Sequence, residues 1–427
     1  MKILIKKGKI VNFDEIKEAD ILIHNSKIVQ ISKDIEEKVD KEIDAQGKFI
    51  LPGLIDMHTH LRTPGREDEE DLLSASKSAS KGGFTTIMCM PNTEPAIDNY
   101  GLAEWIVKEA EKIGIVDIYP IGAITKERKG EELTEFGALK KAGCLALSDD
   151  GDSIKDTYLL RRALEYAKMF DILIISHCED KSLSSEGTMR ESFLSSKYGI
   201  RGIPYISESM VVFRDIELAH YLNARIHLAH ISTKRSVEII KQAKEKGVKV
   251  SCETAPHYFI LSIEDIEKNN FSSLFKVNPP LQEKEDVEAI KEALASDIID
   301  CIATDHAPHS KAEKELSFEE APFGFIGLEL AFSLTYTYLV KKNILSLKDL
   351  VKKMSYTPAK ILGLKDKGYI KEENIADLAI VDLGSRWKVT EENLLSKSKN
   401  TPFLGYELEA EVICTIHRGE IVYKKSG

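Results

Sequence analysis

From residue 54 to residue 304 the sequence repeats one pattern eight times: a short apolar run, then a polar break, then in most cases a stretch of helical period. The runs cover 54–60, 85–90, 117–122, 144–148, 172–177, 226–230, 249–252 and 299–304. Helical apolar spacing is clear at 156–170 and 234–246. Strands that alternate with helices must pair in parallel and bury both faces. Eight such units favour a closed (β/α)8 barrel of the α/β class over an open doubly wound sheet. Function in such a barrel is expected at the carboxyl ends of the strands.

The flanks read differently. Residues 1–52 give short alternating strands with turn signals at Lys7-Gly8 and His24-Asn25. Helices are predicted at 328–340 and 346–353, and alternation returns at 376–382 and 411–416. Neither end is long enough for a core of its own, so the two are expected to pair into one small composite β-sandwich. The predicted units are therefore 1–52 and 364–427 for the sandwich and 53–363 for the barrel.

With 427 residues there is ample chain for both units. A net charge of −11 argues against a nucleic-acid partner, which needs a basic face. No apolar run approaches the roughly 20 residues of a membrane-spanning helix, and Met1-Lys-Ile-Leu-Ile-Lys-Lys-Gly8 reads as a strand rather than a signal peptide. The six cysteines are dispersed and form no CxxC pair, as expected of a reduced, cytoplasmic protein. The acidic run Glu67-Asp-Glu-Glu-Asp71 is expected to oppose the positive end of a helix that begins there.

Chemistry gathers at the strand ends. His58 and His60 are two apart, so both are expected to face the barrel interior. His177 and His230 end two further runs and bring imidazoles to the same rim. His227 has the opposite parity to His230 and is expected to face the surrounding helices as a packed or supporting residue. Carboxylates come from Asp305, after Cys301-Ile-Ala-Thr304, and from Ser148-Asp-Asp-Gly151, where spacing leaves Asp149 and Asp150 both open, with Asp150 preferred. Four imidazoles and two carboxylates suit two zinc ions sharing a carboxylate and a hydroxide, a site that attacks amides. A carboxylate at Asp305 can take the proton from that hydroxide and pass it to the leaving nitrogen.

At these residues the chain resembles the amidohydrolase superfamily, and within it the dihydroorotases. The motifs are Asp56-Met-His-Thr-His-Leu-Arg62 with Pro64-Gly65, Gly82-Gly-Phe-Thr-Thr86, Met90-Pro-Asn-Thr93, Asn278-Pro-Pro280 and Ala303-Thr-Asp-His-Ala-Pro-His309. The resemblance implies metal ligation by His58, His60, Asp150, His177, His230 and Asp305, with Asp150 bridging and Asp305 also the catalytic proton shuttle. It implies substrate contacts from His60, Arg62, Asn92, Asn278 and His309, and backbone contacts from Phe323 and Gly324. A guanidinium at Arg62 suits a ring carboxylate, while Asn92 and Asn278, beside prolines, would equally suit turns. His257 and His306 are expected to support or pack, and the charged stretch after His309 to form a mobile segment at the barrel mouth.

Many superfamily members bridge their metals with a carboxylated lysine from the fourth strand, and Cys144-Leu-Ala-Leu-Ser148 has none. The resemblance then points to the aspartate-bridged bacterial type, with two Zn2+ per subunit and reversible cyclisation of N-carbamoyl-L-aspartate to L-dihydroorotate in pyrimidine synthesis. It also raises aspartate transcarbamoylase as a partner and a homodimer as an assembly. The alternatives are an allantoinase or related cyclic ureidohydrolase, and a non-catalytic scaffold for aspartate transcarbamoylase.

Overall fold

The computed structural model describes residues 1–425. All eight runs become parallel strands: Leu54–Thr59, Phe84–Cys89, Asp117–Gly122, Ala146–Leu147, Leu173–Ser176, Ile226–Leu228, Val250–Thr254 and Cys301–Ile302. Each pairs with the next in chain order. Around the seam, the His60 amide donates to the His306 carbonyl at 2.8 Å, bringing the first and last strand ends together. Alternation along the strands sorts the two cores. Met88, Leu173, Ile175 and Ala229 fill the barrel, whereas Ile87, Ile174 and Leu228 join the larger core under the helices.

Helix Thr157–Phe170 illustrates how local sequence builds the outer layer. The Asp156 side chain caps the Tyr158 amide, Leu160, Ala163, Leu164 and Ala167 share the buried face, and Asp171 ends the helix in a left-handed turn. Burying each leucine stabilises the layer by about 1.5–3 kcal/mol. Two helices near the C-terminal side depart from expectation. The segment predicted at 328–340 becomes helical only at Ala331–Thr335 and widens into a π-helical turn at Tyr336–Val340. The segment predicted to stop at residue 353 instead runs on through a π turn at Lys352–Tyr356 into Thr357–Leu362. Pro358 is accommodated in this continuation directly after the π turn, where the helix changes its hydrogen-bond spacing.

The two ends of the chain share one eight-stranded sheet. Lys2–Val11 pairs with Ile16–His24, and Phe49–Pro52 pairs antiparallel with Leu378–Lys388, which continues into Glu407–His417 and Glu420–Lys424. The sheet docks on the barrel at Gly83 (φ 86°), where a Cβ would press on Val412 and Ala379. A short ribbon, Met189–Arg190 with Gly202–Ile203, projects from the fifth βα connection. No helix among the described residues is long and apolar enough to cross a membrane.

Barrel and sheet are also tied by a buried ionic cluster. Lys367 lies 2.7 Å from Asp117 and pairs with Asp377, while His417 lies 3.1 Å from Asp377 and 3.5 Å from Asp117. Burial disfavours protonation of His417, but the two aspartates outweigh it and hold its pKa above the ordinary value. A raised folded pKa contributes stability fully below the unfolded value of about 6.5 and loses it as pH climbs through the folded one. The melting temperature of the protein should therefore fall on the alkaline side of neutrality, and His417→Asn should flatten that fall. Lys367→Met should cost more, because it removes the buried ammonium shared by Asp117 and Asp377 and leaves them to His417 and Arg418. Thermal melts from pH 6 to 9 check both.

Candidate active site and metal centre

Each reactive side chain leaves the carboxyl end of a barrel strand or the loop just beyond it. His58 is within the first strand, His60 follows it, Asp150 follows the fourth, His177 the fifth, His230 the sixth and Asp305 the eighth. Two of them are turned inward by the backbone itself: His230 has φ 36° and Asp305 φ 51°, both left-handed. Arg62 has φ 61°. Non-glycine residues in this region are uncommon and concentrate where a side chain must be aimed.

The six groups converge. Asp150 touches all four imidazoles, with Oδ1 3.4 Å from His58 Nε2, 3.4 Å from His177 Nδ1 and 3.6 Å from His230 Nε2, and Oδ2 3.6 Å from His60 Nε2. Asp305 Oδ1 lies 3.2 Å from His60 Nε2 and 3.6 Å from His58 Nε2. Two triads have ligand atoms close enough to hold a cation, His58–His60–Asp305 and His58–Asp150–His230, and they share His58. His58 Nε2 and Asp150 Oδ1 are buried with no hydrogen-bond partner. Orphaned acceptors of this kind are costly unless a cation meets them, so the donor set fits a metal, and imidazole with carboxylate suits zinc.

Electrostatics support the same reading. Burial opposes a charge on His58, but Asp150, Glu253 and Asp305 outweigh it and hold its pKa well above the ordinary value. Burial likewise opposes a charge on His177, which Asp150 and Glu179 push up to about 9. Burial would raise Asp305, but His60 and His58 hold it down to about 2. The carboxylates thus favour positive charge among these imidazoles, which a metal cation would supply.

Further carboxylates stand behind the imidazoles, and the sequence reading missed them. Glu253 accepts from His58 Nδ1 at 2.9 Å and from His227 Nε2 at 3.2 Å. Glu179 meets His177 Nε2 at 3.1 Å and Asn278 Nδ2 at 3.1 Å. Such partners fix the tautomer and aim of a ligand imidazole. The expectation for His227 is corrected: it points into the barrel, toward Glu253 and Ser251, and not toward the helices. Parity was counted back from His230, but the strand ends at Leu228 and His230 is left-handed, so the count of two fails. Asp149 is not at the centre either. It accepts from the Ile124 and Thr125 amides at 2.8 and 3.0 Å and pins the third βα loop.

The acidic run is also reassigned in part. Asp71 does cap helix Leu72–Lys81, yet Glu69 and Glu70 are buried, and only Glu70 touches its first turn, through Ser74 Oγ. Glu70 lies 3.4 Å from His306 Nε2, and Glu69 lies against Arg62 and His309. His257 is packed on Phe325 and Tyr258, and burial lowers its pKa to about 3, so it is neutral.

Above the cluster opens a cavity of about 320 Å³, lined by Arg62, Asn92, Asn278, His309, Phe323 and Gly324. Asn92 also orients His60, its Oδ1 2.8 Å from Nδ1. The His309 ring donates from Nε2 to the Phe323 carbonyl at 2.7 Å. The Gly324 amide is taken by the Lys276 carbonyl at 2.9 Å, so its free N–H for a ligand would require a shift there. Gly324 itself has φ 116°, and a Cβ would collide with Ala307. The fourth strand carries no lysine, and Lys140, on the preceding helix, donates to the Asp171 carbonyl at 3.1 Å, on the outer layer.

Comparison with known proteins agrees with this geometry. Residues 47–236 match the family model described as dihydro-orotase-like. A dihydroorotase of Trichlorobacter lovleyi is 45% identical over 99% of both chains. One of Acetivibrio thermocellus is 48% identical over 95% of both. Among solved structures, an L-hydantoinase (dihydropyrimidinase) of Arthrobacter aurescens superposes with a TM-score of 0.89 at 28% identity, covering 100% of this chain and 96% of that one. A dihydropyrimidinase of Brevibacillus agri gives 0.87 at 26%, covering 99% and 95%. Sharing this fold with a hydantoinase and a dihydropyrimidinase, and nearly half its residues with dihydroorotases over almost its whole length, the chain belongs to the dihydroorotase family.

Proposed function

We propose that the protein is a zinc-dependent dihydroorotase, interconverting N-carbamoyl-L-aspartate and L-dihydroorotate on the route to pyrimidine nucleotides. The observation that carries this is the joint placement of Asp150, with its orphaned Oδ1, and of His60, His177, His230 and Asp305 on one small cavity with the Arg62–His309 pair. His58, His60, Asp150, His177, His230 and Asp305 would hold two zinc ions, with Asp150 between them. When bound, zinc supplies a water of lowered pKa and polarises the carbonyl under attack. Asp305 takes the proton from the attacking water and hands it to the ring nitrogen as the C–N bond breaks; in closure the same proton travels back. Arg62, Asn92, Asn278 and His309 orient the ring through its carboxylate and polar edge.

Turnover of dihydroorotate, allantoin and hydantoin measured side by side tests the substrate. Dihydroorotate should exceed the others by orders of magnitude, and preferential cleavage of allantoin would replace this reading with a ureidohydrolase. All six cysteines are free and buried, which suits a reducing cytoplasm. Light scattering and co-elution with aspartate transcarbamoylase test the homodimer and the partner.

A further inference from the structure

Glu69 lies directly behind Arg62 and His309, the two side chains assigned to the ring carboxylate. It is 1% exposed, and it is fully engaged: Oε2 is 2.9 Å from Arg62 Nε, while Oε1 is 3.0 Å from His309 Nδ1 and 3.1 Å from Arg66 Nη2. Arg66 Nη2 reaches on to Glu313 at 2.7 Å, in the segment that follows His309. One carboxylate therefore joins the loop after the first strand to the loop after the eighth.

The hydrogen count on His309 makes the arrangement directional. A carbonyl can only accept, so the 2.7 Å contact with the Phe323 oxygen puts a hydrogen on Nε2. Nδ1 is then the atom that shares a proton with Glu69. On Arg62, Nε is held by Glu69 and by the Pro308 carbonyl at 3.0 Å, which fixes the plane of the guanidinium. Its Nη2 lies 3.3 Å from His309 Nε2. The single Nε2 hydrogen is given to Phe323, so His309 stands beside Arg62 as a wall and the Arg62 Nη groups are the donors left for a carboxylate.

We infer that Glu69 is the positioning residue for substrate charge: by gripping Arg62 at Nε, and His309 beside it at Nδ1, it fixes the plane in which the Arg62 Nη groups meet a single carboxylate on the ring. This rests on the dihydroorotate reading above. Glu69 touches none of the six proposed metal ligands, so its loss should weaken recognition of the carboxylate and spare the reacting centre.

Glu69→Gln in the metal-loaded enzyme tests it. The expected result is a KM for dihydroorotate raised about 10- to 100-fold, kcat nearly unchanged and full metal content, the signature of lost uniform binding. Orotate, which carries the carboxylate, should bind more weakly to the variant, while uracil, the same ring without it, should bind as before. On an Arg62→Lys background, Glu69→Gln should add little further. An unchanged KM, or equal weakening of orotate and uracil, would overturn the inference while leaving the function standing. Wild-type protein that fails to turn over dihydroorotate would overturn the function and the inference with it. If the Gln variant does not fold, Glu69→Asp carries the same comparison, because a shortened carboxylate keeps the charge but cannot reach both partners.

Discussion

Asp305→Asn lowers kcat by about 10² to 10⁴ in both directions of the reaction, the range lost when a positioned acid–base group is removed. The amide is isosteric and Asn tolerates the left-handed backbone at this position, so the barrel should melt as before. What disappears is the capacity to hold a proton. Substrate binding, proposed to rest on Arg62 and His309, should change little, which places the loss in kcat rather than KM. A variant whose kcat stays within threefold of wild type would remove Asp305 from the proton-transfer role and leave it, at most, as a metal ligand.

Asp150→Ala acts earlier, on the metal itself. Among the described residues the carboxylate is the only group within reach of all four imidazoles, and its charge is a main reason that His58 and His177 are held in their raised states. Its removal should lower metal affinity by more than the roughly 10- to 100-fold typical of losing a partner behind a ligand. Glu253→Gln, which only loosens His58 Nδ1, supplies that smaller reference effect. Metal per subunit, measured after dialysis, should rank wild type above Glu253→Gln and Glu253→Gln above Asp150→Ala. Full metal retention by Asp150→Ala would rule out the bridging role.

The strand ends were legible in the sequence because their signal is local. An apolar run that stops at a histidine or aspartate needs no tertiary information, and His58, His60, His177, His230 and Asp305 were all found that way. The carboxylates behind them were not. Glu253 meets His58 across 195 residues and Glu69 meets His309 across 240, so each pairing exists only once the barrel closes. Glu253 was nevertheless within reach of the same rule: the seventh strand runs to Thr254, two residues past its predicted end, and puts Glu253 at its mouth. Glu69 had no such cue. In an acidic run before a helix, a side chain that caps and one that is buried look alike, and Asp71 was the only one that the dipole explanation fitted. His227 failed for a geometrical reason, since periodicity of two applies only while the backbone remains extended.

The left-handed backbone at Arg62, His230 and Asp305 restricts what evolution or an engineer can place there. Asparagine, aspartate, histidine and glycine enter that region at modest cost, whereas β-branched residues pay heavily for it. A library aimed at a different metal or ring should therefore draw on that short alphabet at 230 and 305, and seek its diversity at Asn92, Asn278 and the ribbon around Ile203. A valine or threonine that fails at position 305 would report on the peptide backbone and say nothing about the chemistry.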